Sequence, residues 1–476
     1  MPSETILVFD QGTTRCKICL LNLRGECIGL ETIRNSEYRR NSVSWQSAQE
    51  WWHGATGATK KLLSRLDMTS QRVVALSVSG RAGAGVFLDN GGEVIVDPWL
   101  DQRHHPELVE IKDQFPDLAL YAATLLSKLL WLRRNDAHLF QRIAHAMYAK
   151  DFLVFRLTGN AVTDPSSGPD GLAWPAQALR NLEIAPDLLP RPGLPWELAG
   201  YLTEHAASEL GLSPGLPVAV GAHDGICANV GAGVIAKGEI ALTLGTHGVS
   251  RTIIEAQPAE GVTRFYCYPT GKHVIGANAL MAGRSLEWFL DQSPDTRRDR
   301  NKLFQEYDDF VLKAEPGAGG ASFYPYLDGQ ISPTLDRKVR ASFHGLTTQT
   351  TQKQMYQAVL EGASFAIAES FLQLSGWIPQ VSRVSVTGSG AKSKPWVQLL
   401  ANLINQPLET TDGVSESRGA AIFAAVLIGK YPTIEKAAVH MVQTEQTFNP
   451  DIELSRIYQQ LFKQWRDHRE KLRAER

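Results

Sequence analysis

Two carboxylates stand at the ends of short apolar runs, each followed by small residues. Asp224 ends Leu216-Pro-Val-Ala-Val-Gly-Ala-His-Asp224, and Gly225 then opens a stretch of helical character through Gly231-Ala-Gly233. Asp10 ends Thr5-Ile-Leu-Val-Phe-Asp10 and leads into Gln11-Gly12-Thr13-Thr14. A carboxylate that a buried strand delivers to the start of a helix sits where a crevice can open, and there it can serve as a general base. The competing role for Asp224 is a plain helix N-cap. A turn of Gly and hydroxyl residues exposes N–H and O–H donors together, which suits phosphate oxygens. Asp10 beside such a turn can hold a hydrated Mg²⁺, an ion that takes carboxylate and phosphate oxygens.

Both features have partners later in the chain. Ile240-Ala-Leu-Thr-Leu-Gly245-Thr246 parallels the Asp10–Thr14 hairpin, and Val381-Ser-Arg-Val-Ser-Val-Thr-Gly388 parallels Val73-Val-Ala-Leu-Ser-Val-Ser-Gly80. The same order in each half points to an internal duplication, with insertions of unequal length. The expectation is an α/β protein of two related domains, 1–238 and 239–476, with a cleft between them. Paired Gly-Thr hairpins would then grip a polyphosphate from both sides.

Other elements follow from periodicity. Helices are predicted over Ser47–Leu66, Leu125–His145, Lys150–Gly159, Thr203–Leu210 and Thr351–Ser375, and a stripe of Leu454, Ile457, Tyr458, Leu461 and Trp465 precedes a solvated, frayed tail. The glycines of Gly80-Arg-Ala-Gly83-Ala-Gly85 do not follow the dinucleotide order, and Val86–Asp89 with Asn90-Gly-Gly92 reads as a hairpin. Gly388-Ser-Gly390-Ala-Lys392-Ser393 lacks the Walker spacing, but a Gly-Ser-Gly turn opening a helix suits close approach of a nucleotide. Cys16 and Cys19 alternate faces of one strand and read as core cysteines, and the His104-His105 pair reads as a solvated turn.

The totals exclude several classes. At 476 residues two to three domains are expected, and a net charge of -2 gives no basic field for nucleic acid or anionic membrane. The longest apolar run, Ala420–Ile428, is too short for a bilayer, and Glu4 and Asp10 interrupt any signal-peptide core. Five cysteines in a long chain argue for a reducing compartment, so the cytoplasm is the default.

These residues together resemble the FGGY carbohydrate kinase family, sugar kinases with a duplicated actin/hexokinase-like (ribonuclease H-like) fold, over roughly Leu7 to Pro450. The most specific stretch is Ala341-Ser-Phe-His-Gly345-Leu346, a seven-residue spacer, then Gln354-Met-Tyr-Gln-Ala-Val-Leu-Glu361. The N-terminal signature matches in its second half, Lys128-Leu-Leu-Trp131-Leu-Arg-Arg-Asn135, whereas the Pro, Ser or Thr expected earlier is Leu125. Trp99-x-Asp101-x-Arg103, Lys150-Asp151, Arg156-Leu-Thr-Gly159 and Ser417-Arg-Gly419 also stand where the family has counterparts. The resemblance implies ATP and Mg²⁺ as cofactors and Asp224 as the base for a sugar hydroxyl attacking the γ-phosphate. It further implies that Gly12, Thr13, Thr14, Gly245 and Thr246 hold phosphates, that Asp10 places the metal, and that Gly283, Gly390, Ala391 and Lys394 line the adenosine side. The sugar is expected among Arg81, Ala82, Gly83, Trp99, Asp101, Arg103 and Asp224. Family members are often homodimers, and no distinctive interface stripe stands out here.

Departures from the pattern blur the sugar. Ala82-Gly83 stands where xylulokinases carry Met-His and glycerol kinases Arg-Glu, Arg81 replaces a common Gln, and Gly225 replaces a common Gln after the base. The whole run is nearest xylulokinase-like and L-xylulokinase-like members, so a pentulose or related polyol is expected. L-xylulose, ribulose, erythritol and gluconate are the alternatives, the last because Arg81 can pair with a carboxylate. A non-catalytic binding regulator or an actin-like ATPase would use the same fold. The intact Asp10 and Asp224 speak against the first, and the Trp99–Arg103 segment against the second.

Overall fold

The apolar run before Asp10 folds as a fully buried strand, β1 (Thr5–Gln11), in a computed structural model that describes residues 4–67, 72–169, 171–255, 264–267, 271–292, 299–330 and 335–474. Gly12 N–H donates to the Arg15 carbonyl at 3.0 Å, closing the predicted hairpin to β2 (Arg15–Asn22), and β3 (Cys27–Arg34) follows antiparallel. The β1–β2 register sets Asp10 opposite Lys17. Strand β4 (Val73–Gly80) runs parallel to β1, which brings Ser79 beside Asp10. Strands β5 (Leu198–Tyr201), β6 (Pro217–Ala219) and β7 (Ala222–His223) complete this sheet in the order β5-β6-β4-β1-β2-β3, and both β6 and β7 pair with β4. The Ala48–Arg65 helix, capped by Ser47, lays Trp51, Trp52, Ala55 and Leu62 into the core that Leu7, Phe9, Ile18 and Leu76 provide.

A second sheet repeats the plan. It includes β8 (Glu239–Leu244), β9 (Gly248–Ile254), β10 (His273–Ala279), β11 (Arg383–Thr387), β12 (Leu408–Thr410) and β13 (Gln446–Phe448), ordered β13-β12-β11-β8-β9-β10. Three antiparallel strands, then two added parallel, then one antiparallel, is the sense in both sheets. The duplication read from two short matches is therefore a duplication of whole sheets. Its second core is filled by the Gln352–Ser375 helix, which starts with the capping box Thr351/Gln354 and buries Tyr356, Val359, Leu360 and Phe371.

The chain forms two compact units that no single cut separates: 1–233 with 266–272 and 414–443, and 234–265 with 273–413 and 444–476. The returning Ser415–Leu427 helix belongs to the first unit, where Arg418 donates from Nε to Gly25 O and from an Nη to Gly231 O, each at 3.2 Å. Among the described residues no helix is long and apolar enough to cross a membrane.

Two expectations change. The predicted Leu125–His145 helix begins earlier and ends sooner, at Leu120–Asn135; Asp136 stops it and caps a new short helix through Leu139 N–H at 2.9 Å. The tail after Trp465 is not frayed, since the Ile452–Ala474 helix runs through it and buries Arg469 in a two-toothed ion pair with Glu369, one tooth at 2.7 Å. Trp465 beside it donates to the Phe323 carbonyl at 2.9 Å. Charge that looked like a solvated end closes the second core. Glu369→Gln leaves Arg469 buried beside a neutral amide, and removing one partner of such a pair costs roughly 3 kcal/mol. The expected result is a lower urea midpoint for that variant at unchanged slope, and an unmoved midpoint would show that the pair contributes nothing.

Candidate active site

Asp10 lies buried where β1 gives way to its turn. Its Oδ1 accepts from Ser79 Oγ at 2.9 Å, while Lys17 Nζ reaches Oδ2 at 3.2 Å and Glu416 Oε2 at 3.3 Å. Burial pushes the Asp10 carboxyl up to about 6; Lys17 opposes the shift, and Glu416 and Asp224 add to it. The Asp10 attraction and the Glu416 charge raise the Lys17 ammonium above its ordinary range. The Gly12–Thr14 turn, with Thr13 and Thr14 exposed, is braced from behind. Asn35 Nδ2 donates to Gly12 O at 2.9 Å and Gln46 Nε2 to Thr13 O at 2.9 Å.

Asp224 owes its place to a kink and a buried charge. Gly221 sits between β6 and β7 with φ +70°, and a Cβ there would lie 1.9 Å from the Val78 carbonyl oxygen. Only glycine lets the strand dip against β4 at that point. The preceding Val220 carbonyl accepts from Lys150 Nζ at 3.1 Å. That buried ammonium pairs with Asp151 at 2.7 Å and approaches Asp164 at 3.4 Å. Asp164 holds the Ser166 hydroxyl and N–H, and Ser166 Oγ accepts from His223 N–H at 3.2 Å. The competing N-cap role falls to another residue: His223 caps the Asp224–Gly231 helix, its Nδ1 accepting from Gly225 N–H at 3.0 Å. Because Nδ1 receives that hydrogen, the 3.3 Å approach of Asp224 Oδ1 to it is a lone-pair contact rather than an ion pair. Asp224, the first helical residue, is left 35% exposed among buried neighbours.

A cavity of 260 Å³ in the same unit is lined by Arg81, Ala82, Gly83, Trp99, Asp101 and Lys128, among others, so five of the six expected sugar residues other than Asp224 meet there. Arg103 stands apart. It grips Asp101, with Nε–Oδ1 at 2.7 Å, and lies over the Trp99 ring at 5.2 Å. Burial works to raise the Asp101 carboxyl, yet the bonds from Arg103 and Ser44 N–H prevail and hold it at about 2. The reading of His104 as solvated is also corrected. The ring is buried, its Nδ1 is 3.3 Å from Trp99 Nε1, and burial with the Lys128 charge holds it down at about 3, hence neutral.

The second unit holds a larger cavity, 560 Å³, lined by Gly245, Thr246, Gly283 and Gly390 together with Leu286, Phe304, Asp308, Tyr356, Lys392 and Trp396. Apolar and aromatic walls with a few polar groups suit a nucleoside base and sugar. Gly283 N–H donates to Gly245 O at 2.9 Å and Arg284 N–H to Thr246 O at 3.2 Å, so the Gly-Thr turn and the Gly283–Asp291 helix start are one built piece. A Cβ at Gly390 would meet the Trp396 ring at 2.7 Å, so this glycine serves packing within the unit. Ala391 packs against the core instead of the cavity, and Lys394 is an exposed first residue of its helix, whereas Lys392 lines the wall.

Comparison with known proteins places the fold. The model of the FGGY family N-terminal domain matches residues 5–231, and that of the C-terminal domain matches 243–428. The chain belongs to the FGGY family of carbohydrate kinases. The kinase is 27% identical to the xylulose kinase of Staphylococcus xylosus over 480 residues, 96% of this chain and 98% of that protein. It is 28% identical to the gluconokinase of Bacillus subtilis over 454 residues, 90% and 87% of the two chains. Two solved structures from Lactobacillus acidophilus superpose on it, each 23% identical and over 99% of the kinase. They are a gluconate kinase at TM-score 0.85, with 98% of that chain covered, and a ligand-bound xylulose kinase at 0.84, with 99% covered. These likenesses establish the duplicated fold of the kinase and leave its sugar open, since one fold carries either name.

Sequence reasoning did not single out Lys17, Glu416 or Asp308, which the structure sets beside the candidate residues. Lys17 was within reach, because a hairpin pivoting on Gly12–Thr14 puts residue 17 across from residue 10. Glu416 returns from a sequence distance of 399 residues, and no local pattern signals it. For Gly221→Ala the added methyl and the positive φ both oppose the native backbone, and a loss of about 2 kcal/mol or more is expected, with turnover falling further than sugar affinity. Chemical denaturation and steady-state kinetics on that variant check both parts; wild-type turnover would mean the kink does not position Asp224.

Proposed function

We propose that the enzyme transfers the γ-phosphoryl group of ATP to a hydroxyl of a small open-chain sugar, with Asp224 as general base. The observation that carries this reading is Asp224 itself, fixed through its backbone at a strand end yet solvent-accessible at 35%. In the step, the sugar oxygen forms a bond to the γ-phosphorus, the bond from that phosphorus to the ADP oxygen breaks, and the hydroxyl proton passes to Asp224. Such transfer depends on positioning and charge neutralisation more than on covalent help. Gly12, Thr13 and Thr14 offer donors to phosphate oxygens, Gly245 and Thr246 do so in the other unit, and the cavity beside Gly283 and Gly390 takes the adenosine. Lys17 adds a cation at the phosphate turn.

Mg²⁺ is part of the proposal. Among the described residues no three His, Cys, Asp or Glu side chains cluster as a metal cage. A nucleotide-borne Mg²⁺ needs only one or two carboxylates, and Asp10, which shares Lys17 with Glu416 and feels the Asp224 charge, fits that demand. When bound, the ion would neutralise charge on the phosphates. The xylulose-like pentulose expected from the sequence accords with the name of the Staphylococcus relative, and the Bacillus gluconokinase brings a sugar acid into the same range. A cytoplasmic location is part of the same proposal.

ADP release in the presence of D-xylulose, L-xylulose, D-ribulose, erythritol and gluconate tests the reaction class; turnover indifferent to every one of them would end the kinase reading. Asp224→Ala is expected to lower kcat by roughly 10²–10⁴ while ATP affinity stays near wild type. An equal loss of ATP affinity would assign the residue to nucleotide or metal binding instead. For Asp10 the folded carboxyl at about 6 lies above its ordinary 3.8, so the native state holds the proton more tightly than the unfolded chain. Acidification from pH 7 to 5 therefore stabilises the fold through this group while removing the charge that the reaction uses. The expected profile is a kcat/KM that falls about tenfold per pH unit below pH 6 with no loss of folded signal, and a flat profile there would remove Asp10 from the mechanism.

A further inference from the structure

The cavity beside Trp99 carries two buried cations and no matching anion. Arg81 is 9% exposed and Lys128 is 1% exposed, and among the described residues neither has a carboxylate within ion-pair distance. Arg81 gives one Nη hydrogen to Gln46 Oε1 at 2.9 Å, stands 5.7 Å over the Trp51 ring, and keeps its buried Nε without a hydrogen-bond partner. Lys128 Nζ has the Trp99 carbonyl at 3.4 Å and the Trp99 ring at 4.1 Å. The nearest acid on the wall, Asp101, is spent on Arg103. Asp224 and Glu37 act on Arg81 only from a distance, and His104 is neutral.

Unpaired buried charge is costly, and a fold keeps it where a ligand supplies the counter-charge. Burial, helped by the Arg103 and Arg81 charges and opposed by Asp101, brings the Lys128 ammonium down to about 7, so an anion beside it would restore its charge. Lys128 lies in the stretch that resembles the family signature and by itself says nothing particular about this chain. Arg81 stands where Gln is common, and it is the addition that makes the cavity doubly positive. A guanidinium with an idle Nε presents the planar fork that a carboxylate fits.

We propose that the substrate of this kinase is an acid sugar, an open-chain aldonate whose carboxylate is received by Arg81 and Lys128 at the Trp99 wall. This rests on the kinase reading, with a hydroxyl farther along the chain presented to Asp224. Ala82 and Gly83 fit this arrangement, because small residues leave room for a carboxylate beside the guanidinium.

The test compares kcat/KM for gluconate and its four- and five-carbon aldonate homologues with D-xylulose, D-ribulose and erythritol, read as ADP release, and repeats the comparison in Arg81→Gln, Arg81→Lys and Lys128→Met. An aldonate is expected to lead in the wild type. Arg81→Gln should cut the acid-to-neutral ratio roughly 30- to 100-fold, as loss of a charge-assisted contact does, and Arg81→Lys should restore part of it. Lys128→Met should lower the same ratio while raising the thermal midpoint, because it removes an unpaired buried charge; a purely structural lysine would lower the midpoint. A neutral sugar leading in the wild type overturns the proposal, as does an unchanged ratio in Arg81→Gln. ADP release with none of the compounds would instead fail the kinase reading.

Discussion

A single buried ammonium sets the geometry of the first unit. Lys150 is wholly enclosed, and an enclosed charge left unmatched is costly. Asp151 and Asp164 match it, and its remaining reach goes to the Val220 carbonyl. That bond fixes the chain just before the Gly221 kink, and Asp164 extends the hold through Ser166 to the His223 N–H. Asp224 is therefore clamped by backbone on its N-terminal side and by the His223 cap on its own helix, while its carboxylate carries no structural duty. The carboxylate proposed as the base is thus held through its backbone, and its charge reaches Asp10 and Arg81 only through space.

The duplicated sheets show the same economy put to two uses. In each, the first hairpin turns through a glycine and the parallel strand beside it runs out into one, Gly80 or Gly388, yet the flanking chemistry diverges. The first unit fills the turn's rear with polar braces, Asn35 and Gln46, and places charged residues along the sheet end. The second packs its turn on the Gly283 helix start and surrounds the adjoining cavity with Phe304, Tyr356 and Trp396. Charge lies where phosphate and metal would be handled, and aromatic surface where a base would be. Strand order is inherited from the common plan, and side-chain chemistry is what separates the two halves.

Much of this was legible in the sequence because it is local. The Asp10 hairpin, the Val73–Gly80 strand, the capped Thr351 helix and the placement of Asp224 at a strand-to-helix junction all follow from short patterns of apolar run and turn. What escaped depends on distance or on burial of charge. Arg469 reads as tail until Glu369, a hundred positions away, is known to face it. His104 reads as a wet turn residue until Trp99 closes over it. Arg103, expected to face the sugar, turns to Asp101 two residues earlier because a fork and a carboxylate at that spacing satisfy each other first. Val414–Gln443 joins the first unit from far along the chain, a return that no local pattern signals.

Arg81 shows where the two kinds of information meet. As a letter it is a substitution for a common glutamine, and an amide or a guanidinium could each bond a sugar hydroxyl. Glutamine in that place could satisfy itself with water or a hydroxyl and would cost little when the cavity is empty. A guanidinium shielded from solvent and holding one side-chain amide oxygen pays its desolvation penalty in every molecule, bound or free. Gln46, which shares its amide between Arg81 and the Thr13 carbonyl, ties that guanidinium to the turn proposed to handle phosphate. The side chain is thus held rigidly on a braced element and kept charged. Such a group would discriminate by charge before it discriminates by shape, together with Lys128 in a cavity that Ala82 and Gly83 leave open beside it.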